Sequence, residues 1–168
     1  MNTNPKAAVI MGSDSDFPVV KKCIVMLKKF GIEADVHIIS AHRTPDAAAE
    51  YAKNAAANGV DVIIAAAGKA AHLAGVLAAF TTLPVIGIPM KSSTLDGLDS
   101  LLSMVQMPKG IPVATVAVDG ADNAGILAAQ ILALKHPEIS PLLAKFKEDM
   151  AEEVAKKDQA IAAEAQAL

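Results

Sequence analysis

Ala7-Ala8-Val9-Ile10-Met11, closed by Gly12-Ser13-Asp14-Ser15-Asp16, is the stretch from which the fold is read. Five apolar residues in an unbroken run suit a strand covered on both faces, the habit of parallel sheets sandwiched between helix layers. The glycine, hydroxyl and carboxyl residues that follow predict a turn and then a helix. Ser15 or Asp16 can cap that helix and Pro18 fits its first turn. Val20, Ile24 and Leu27 recur at helical spacing, and Gly31 stops the run. Cys23 falls inside this helix and reads as a small buried side chain rather than a reactive thiol.

The same alternation repeats outward along the chain. A second strand covers about Glu33 to Ile39 and runs into Ser40-Ala41-His42-Arg43-Thr44-Pro45, after which Asp46 to Asn58 reads as a helix closed by Gly59. Asp61 to Ala67 is a third strand, followed by Gly68-Lys69-Ala70-Ala71-His72-Leu73-Ala74-Gly75 and a helix to about Phe80. Pro84 to Pro89 is a fourth. Lys91 to Gly97 is rich in Ser, Thr and Gly, and a short helical piece spans Leu98 to Val105. Two prolines and a glycine keep Gln106 to Pro112 irregular. Val113 to Val118 is a fifth strand, and Ala121 to Lys135 a helix. Five βα units of this kind predict an α/β fold, a three-layer, doubly wound, flavodoxin-like parallel sheet of order 2-1-3-4-5. There is an extra C-terminal helix: Ile139, Leu142, Leu143, Phe146, Met150 and Val154 form an amphipathic stripe. It either folds back on its own domain or crosses to a neighbouring subunit. The expected organisation is one domain over residues 1–168, with a core at about 6–136, the last helix at about 138–157 and a frayed tail to 168.

Composition narrows the function. Hydrophobic residues are 53% of the 168 and aromatics 3%, so the core is aliphatic. A net charge of −3 disfavours a nucleic-acid partner. Every apolar run is broken well before the ~20 residues a membrane span needs, and Met1 to Pro5 is short and polar, unlike a signal peptide. With one cysteine there is neither an internal disulfide nor a thiolate metal cluster. A cytoplasmic protein is expected.

In a doubly wound sheet, ligands bind past the carboxyl ends of the strands where the strand order reverses. The loops after strands one, two and three should therefore share one crevice. They contain two of the four histidines, His42 and His72, and Arg43, the only arginine. Guanidinium suits planar recognition of phosphate or carboxylate, and imidazole carries a proton that moves near neutral pH. The Gly12–Asp16 turn at a helix start adds backbone N–H groups suited to phosphate. Asp16 would repel a phosphate and suits sugar hydroxyls instead. The ligand expected is a small phosphorylated sugar or nucleotide. His72 either supports this site or only orients its loop or caps a helix, and His37 and His136 receive no role. The patterns G-x-G-x-x-G and G-x-x-x-x-G-K-[ST] are absent, as are metal-ligand spacings and a nucleophile elbow. Phosphoacceptor signalling domains share the topology but end strand three in Asp, where this chain has Ala65-Ala66-Ala67-Gly68, and Asp119 stands where they carry a lysine.

Four ordered motifs carry a resemblance: Met11 to Asp16, Ser40 to Pro45, Ala70-Ala71-His72-Leu73, and Ser103-Met104-Val105-Gln106-Met107-Pro108-Lys109-Gly110-Ile111-Pro112. From about Lys6 to Phe146 the chain resembles the class I N5-carboxyaminoimidazole ribonucleotide mutases of de novo purine synthesis. The resemblance implies a carboxyl shift from the exocyclic nitrogen of the imidazole to ring carbon C4, without metal, ATP or other cofactor. It implies that Ser13 and Arg43 hold the 5′-phosphate and Asp16 the ribose hydroxyls. Ser40, Ala41, Ala67, Gly68 and Leu73 would line the base and carboxylate pocket. His42 would be the general acid–base group of a dry pocket, and the assembly a homo-octamer. The family usually has Gly-Gly-Ala-Ala-His-Leu-Pro-Gly where this chain has Gly68 to Gly75, so Lys69 and Ala74 are departures, the latter expected to loosen a loop. The related class II enzymes, which carboxylate aminoimidazole ribonucleotide with CO2, typically have Lys at the place of Arg43 and lack His72. A direct carboxylase is the second reading, and a non-catalytic phosphoribosyl-ligand binder the third.

Overall fold

The computed structural model describes residues 4–168; the first three residues of the Met1–Pro5 lead lie outside it. Five parallel strands form one sheet of order β2-β1-β3-β4-β5: β1 (Lys6–Met11), β2 (Glu33–Ile38), β3 (Val62–Gly68), β4 (Val85–Met90) and β5 (Ala114–Thr115). Helices α1 (Phe17–Lys29), α5 (Ala121–Leu132) and the start of α6 (Ile139–Gln166) cover one face. Helices α2 (Pro45–Asn54), α3 (Leu73–Ala79) and α4 (Leu98–Val105) cover the other. The order reverses beside β1, between β2 and β3.

Strand alternation divides the core in two. Ala7, Val9 and Met11 of β1 point to α1 and α5, while Ala8 and Ile10 point to α2 and α3. All five are essentially buried, as the unbroken apolar run requires. β2 departs from that pattern because it is an edge strand: Val36 and Ile38 are exposed. β5 is shorter than its apolar run. Only Ala114 and Thr115 pair with β4, although Val116 and Asp119 still donate backbone bonds to Gly87 and Pro89.

Three helix details refine the expectation. Ser13 caps a 3-10 turn over Asp14–Asp16, its hydroxyl accepting from the Ser15 N–H at 3.3 Å, and Asp16 then stands at the N-cap of α1 as expected but makes no side-chain cap bond. Ala74 sits in the first turn of α3 and is fully buried, so it is not a loop residue. The last helix continues past Lys157 to Gln166. Its closing stretch is mostly Ala with Glu, Lys and Gln, which favour helix without packing. The stripe is also split. Ile139, Leu143 and Phe146 fold back on the core, with Phe146 edge-on to Phe30 at 5.7 Å between centroids and Lys29 over its ring. Met150 and Val154 are exposed, as is every residue from Ala151 onward.

Helices α1 and α5 lie close because Gly125 has no side chain. A Cβ built there would stand 2.8 Å from the Met26 Cβ and 3.0 Å from the Cys23 carbonyl oxygen. Gly125→Ala is therefore expected to lower stability by about 1–3 kcal/mol, the usual penalty of overpacking, although alanine favours helix by ~1 kcal/mol. Urea unfolding measures this, and a rise in the midpoint would contradict the close approach.

Candidate functional site

The loops after β1, β2 and β3 meet in one crevice of about 560 Å³, which the loop after β4 completes. Its volume falls in the usual range for small-molecule sites. Ser13, Asp16, Ser40, Ala41, His42, Arg43, Ala67, Gly68, His72 and Leu73 all line it. The β4 contribution, Met90 to Ser93, had no chemical signature in the sequence beyond a Ser-rich loop.

The loop after β2 closes on itself. Thr44 donates its backbone N–H and its hydroxyl to the Ser40 carbonyl, at 2.8 and 3.0 Å, and the Ser40 N–H donates to Thr44 Oγ1 at 3.0 Å. Pro45 then starts α2. This turn holds Arg43 against the neighbouring loop. Its Nη2 donates to the Gly12 carbonyl at 2.9 Å and its Nε to Ser40 Oγ at 3.3 Å. Guanidinium has five N–H donors in a fixed plane, so after these two bonds three remain for a ligand anion. The anchoring fixes the direction of the fork before a ligand arrives.

His42 reaches across the crevice to His72. His42 Nε2 lies 2.9 Å from His72 Nδ1, with the rings nearly perpendicular. One proton occupies that contact, so one ring donates and the other accepts. His72 stands at the N-cap of α3, yet its side chain makes no cap bond. Capping therefore does not account for it. The two rings join the loops after β2 and β3, and each retains a second nitrogen.

Asp16 lies half-buried beside the Gly12–Asp16 turn, and burial raises its carboxyl above the usual range, partly offset by hydrogen bonds from Ser13 and Ser15. Ser13 Oγ donates to Asp14 at 3.1 Å, which orients the turn. The other histidines lie elsewhere. His37 Nε2 bonds Asp35 at 2.8 Å on the edge strand, and the Tyr51 hydroxyl donates to the same carboxylate at 2.7 Å. His136 is buried after α5, with its Nε2 3.4 Å from Asp61. Cys23 is buried, and its thiol is pushed up to about 12, first by burial and then by Asp122, so it stays protonated and inert.

The fold and site together define a doubly wound α/β protein whose switch-point crevice brings one anchored guanidinium and a histidine pair together. The chain belongs to the AIR carboxylase family, whose model matches residues 6–153. It is similar to the N5-carboxyaminoimidazole ribonucleotide mutase of Thermotoga maritima, with 59% identity over 155 residues that cover 92% of this chain and 91% of the relative. The mutase of that name from Mycobacterium tuberculosis is 53% identical over 154 residues, 92% of this chain and 88% of the relative. The phosphoribosylaminoimidazole carboxylase of Schizosaccharomyces pombe is 53% identical over 154 residues, which make up only 28% of that longer protein. Among solved structures, Treponema denticola PurE superposes with a TM-score of 0.83 at 31% identity, covering 93% of this chain and 98% of that one. Among the described residues no helix is long and apolar enough to cross a membrane.

Proposed function

We propose that the protein is an N5-carboxyaminoimidazole ribonucleotide mutase acting in purine biosynthesis. Identity of 53–59% to relatives of that name over most of both chains supports the reading, and the crevice supplies matching chemistry. Arg43, with Ser13 and the helix start behind it, takes the 5′-phosphate. Asp16 accepts bonds from the ribose hydroxyls. Ser40, Ala41, Ala67, Gly68 and Leu73 line the imidazole and its carboxylate.

The observation that carries the mechanism is the His42–His72 contact. Protonated His42 delivers its proton to the exocyclic nitrogen as the N–C bond breaks and CO2 departs. Ring carbon C4 then bonds the trapped CO2, and neutral His42 removes the C4 proton as the ring regains aromaticity. The same proton inventory serves both steps, so nothing is consumed. Imidazole, which can both give and take a proton, suits transfer in both directions. His72 positions His42 and shares its proton.

His42 and Arg43 are exposed in the single chain, whereas trapping CO2 needs a site closed to water. A second subunit is the cover this reading requires. It is also consistent with the bare stripe on α6, with a homo-octamer, with one domain per chain and with a cytoplasmic location. Light scattering should then give a mass near eight chains.

Incubating the purified protein with N5-carboxyaminoimidazole ribonucleotide, without ATP or bicarbonate, tests the reaction. Appearance of 4-carboxy-5-aminoimidazole ribonucleotide is the expected result. Conversion only from aminoimidazole ribonucleotide plus bicarbonate would replace the mutase with direct carboxylation, the reading that the name of the Schizosaccharomyces pombe relative favours.

A further inference from the structure

Among the described residues three that are not glycine hold a positive φ: Lys69 at 56°, Asp96 at 52° and Asp119 at 56°. Aspartate visits this region more readily, because its short polar side chain can bond nearby backbone. Asp119 does bond backbone, accepting from the Lys91 N–H at 2.9 Å. Lysine has no such compensation. The turn lies between Gly68, in ordinary contact with Met90, and α4, where Ser103 Oγ donates to the Asp99 carbonyl at 2.7 Å and lies 3.4 Å from the Lys69 carbonyl. A glycine would fit here without strain, so the lysine side chain is retained against a backbone cost.

That side chain lines the crevice, and its charge is uncommitted. Arg43 is tied to Gly12 and Ser40, and Lys91, the crevice's other lysine, lies 3.4 Å from Asp96. Among the described residues no carboxylate stands within 4 Å of the Lys69 ammonium. We infer that Lys69 is a specificity-determining residue whose ammonium takes the ligand's carboxylate while Arg43 takes its phosphate. This rests on the mutase reading of the crevice. It assigns the two anionic groups of one ligand to two cations from different loops. The long flexible stem lets one ammonium follow the carboxylate from nitrogen to C4, which a fixed guanidinium fork could not do.

Calorimetric titration with 4-carboxy-5-aminoimidazole ribonucleotide and with 5-aminoimidazole ribonucleotide, which lacks the carboxylate, tests the assignment. Lys69→Met keeps the strained backbone and most of the stem but no charge. It should weaken the carboxylated ligand about tenfold or more and the other by less than about twofold, as expected for loss of one charge-assisted bond. Lys69→Arg should recover most of the loss. Lys69→Gly should bind like Lys69→Met yet melt at a higher temperature than the parent, which a purely structural role for the side chain would not produce. Equal weakening of both ligands, or of neither, overturns the role of Lys69. A parent protein that binds neither ribonucleotide overturns the reading of the crevice and the inference with it.

Discussion

His42→Asn is expected to lower turnover by about 10²- to 10⁴-fold while ligand affinity stays within a few-fold of the parent, the range set by loss of a general acid–base group. Asparagine is smaller and its amide stops short of the Nε2 position that meets His72, but the loop after β2 retains its turn, which rests on Ser40 and Thr44 rather than on the imidazole. What it cannot do is gain and lose a proton near neutral pH. The loss of about 3–5.5 kcal/mol of barrier lowering should therefore fall on kcat with little change in KM. His72→Asn should cost less, because it removes the partner and leaves the proton carrier. Steady-state kinetics of both variants checks the order. A His42→Asn enzyme within tenfold of the parent would remove His42 from the reaction.

Arg43→Ala is expected to weaken ribonucleotide binding by roughly 30- to 1000-fold, the equivalent of about 2–4 kcal/mol for lost charge-assisted bonds to phosphate. Two effects add. The ligand loses its anion holder, and the Gly12 carbonyl and Ser40 hydroxyl lose the donor that ties the two loops together. The controls separate them. The dephosphorylated nucleoside should bind parent and variant almost equally if the phosphate is the partner, and both ligands should weaken together if the loops have merely come apart. Arg43→Lys should restore less than about a tenth of the lost affinity, because an ammonium cannot bond Gly12 and Ser40 and still present a fork. Equal losses for nucleoside and nucleotide would reassign Arg43 from ligand binding to scaffolding.

Much of this was legible in the residues, and the failures have identifiable causes. β1, β3 and β4 are central strands buried on both faces, so their apolar runs state their place directly. β2 and β5 are edges, where one side of the ladder is unpaired and an apolar run no longer sets the length of a strand. The switch-point rule put the loops after β1, β2 and β3 together without reference to any relative. It could not show the bond between His42 and His72, thirty residues apart, since that depends on side-chain geometry across the crevice. Nor could it show that Lys69 sits where glycine is preferred, because φ is set by the turn between Gly68 and α3. Ala74 was misread as a loop residue because α3 starts immediately before it, and boundaries are what local sequence states least sharply.

Beyond Ala151 the sixth helix is a rod fixed at one end. The Ile139–Phe146 anchor belongs to the folded domain, while the sixteen residues from Ala151 to Gln166, all exposed among the described residues, extend for roughly 24 Å at 1.5 Å per residue. A helix of that length in water is only marginally stable on propensity alone. If the proposed assembly packs copies against it, it should tighten when copies meet and loosen on dilution, and the protection of its amides against hydrogen exchange becomes a gauge of protein concentration that the rest of the fold does not feel.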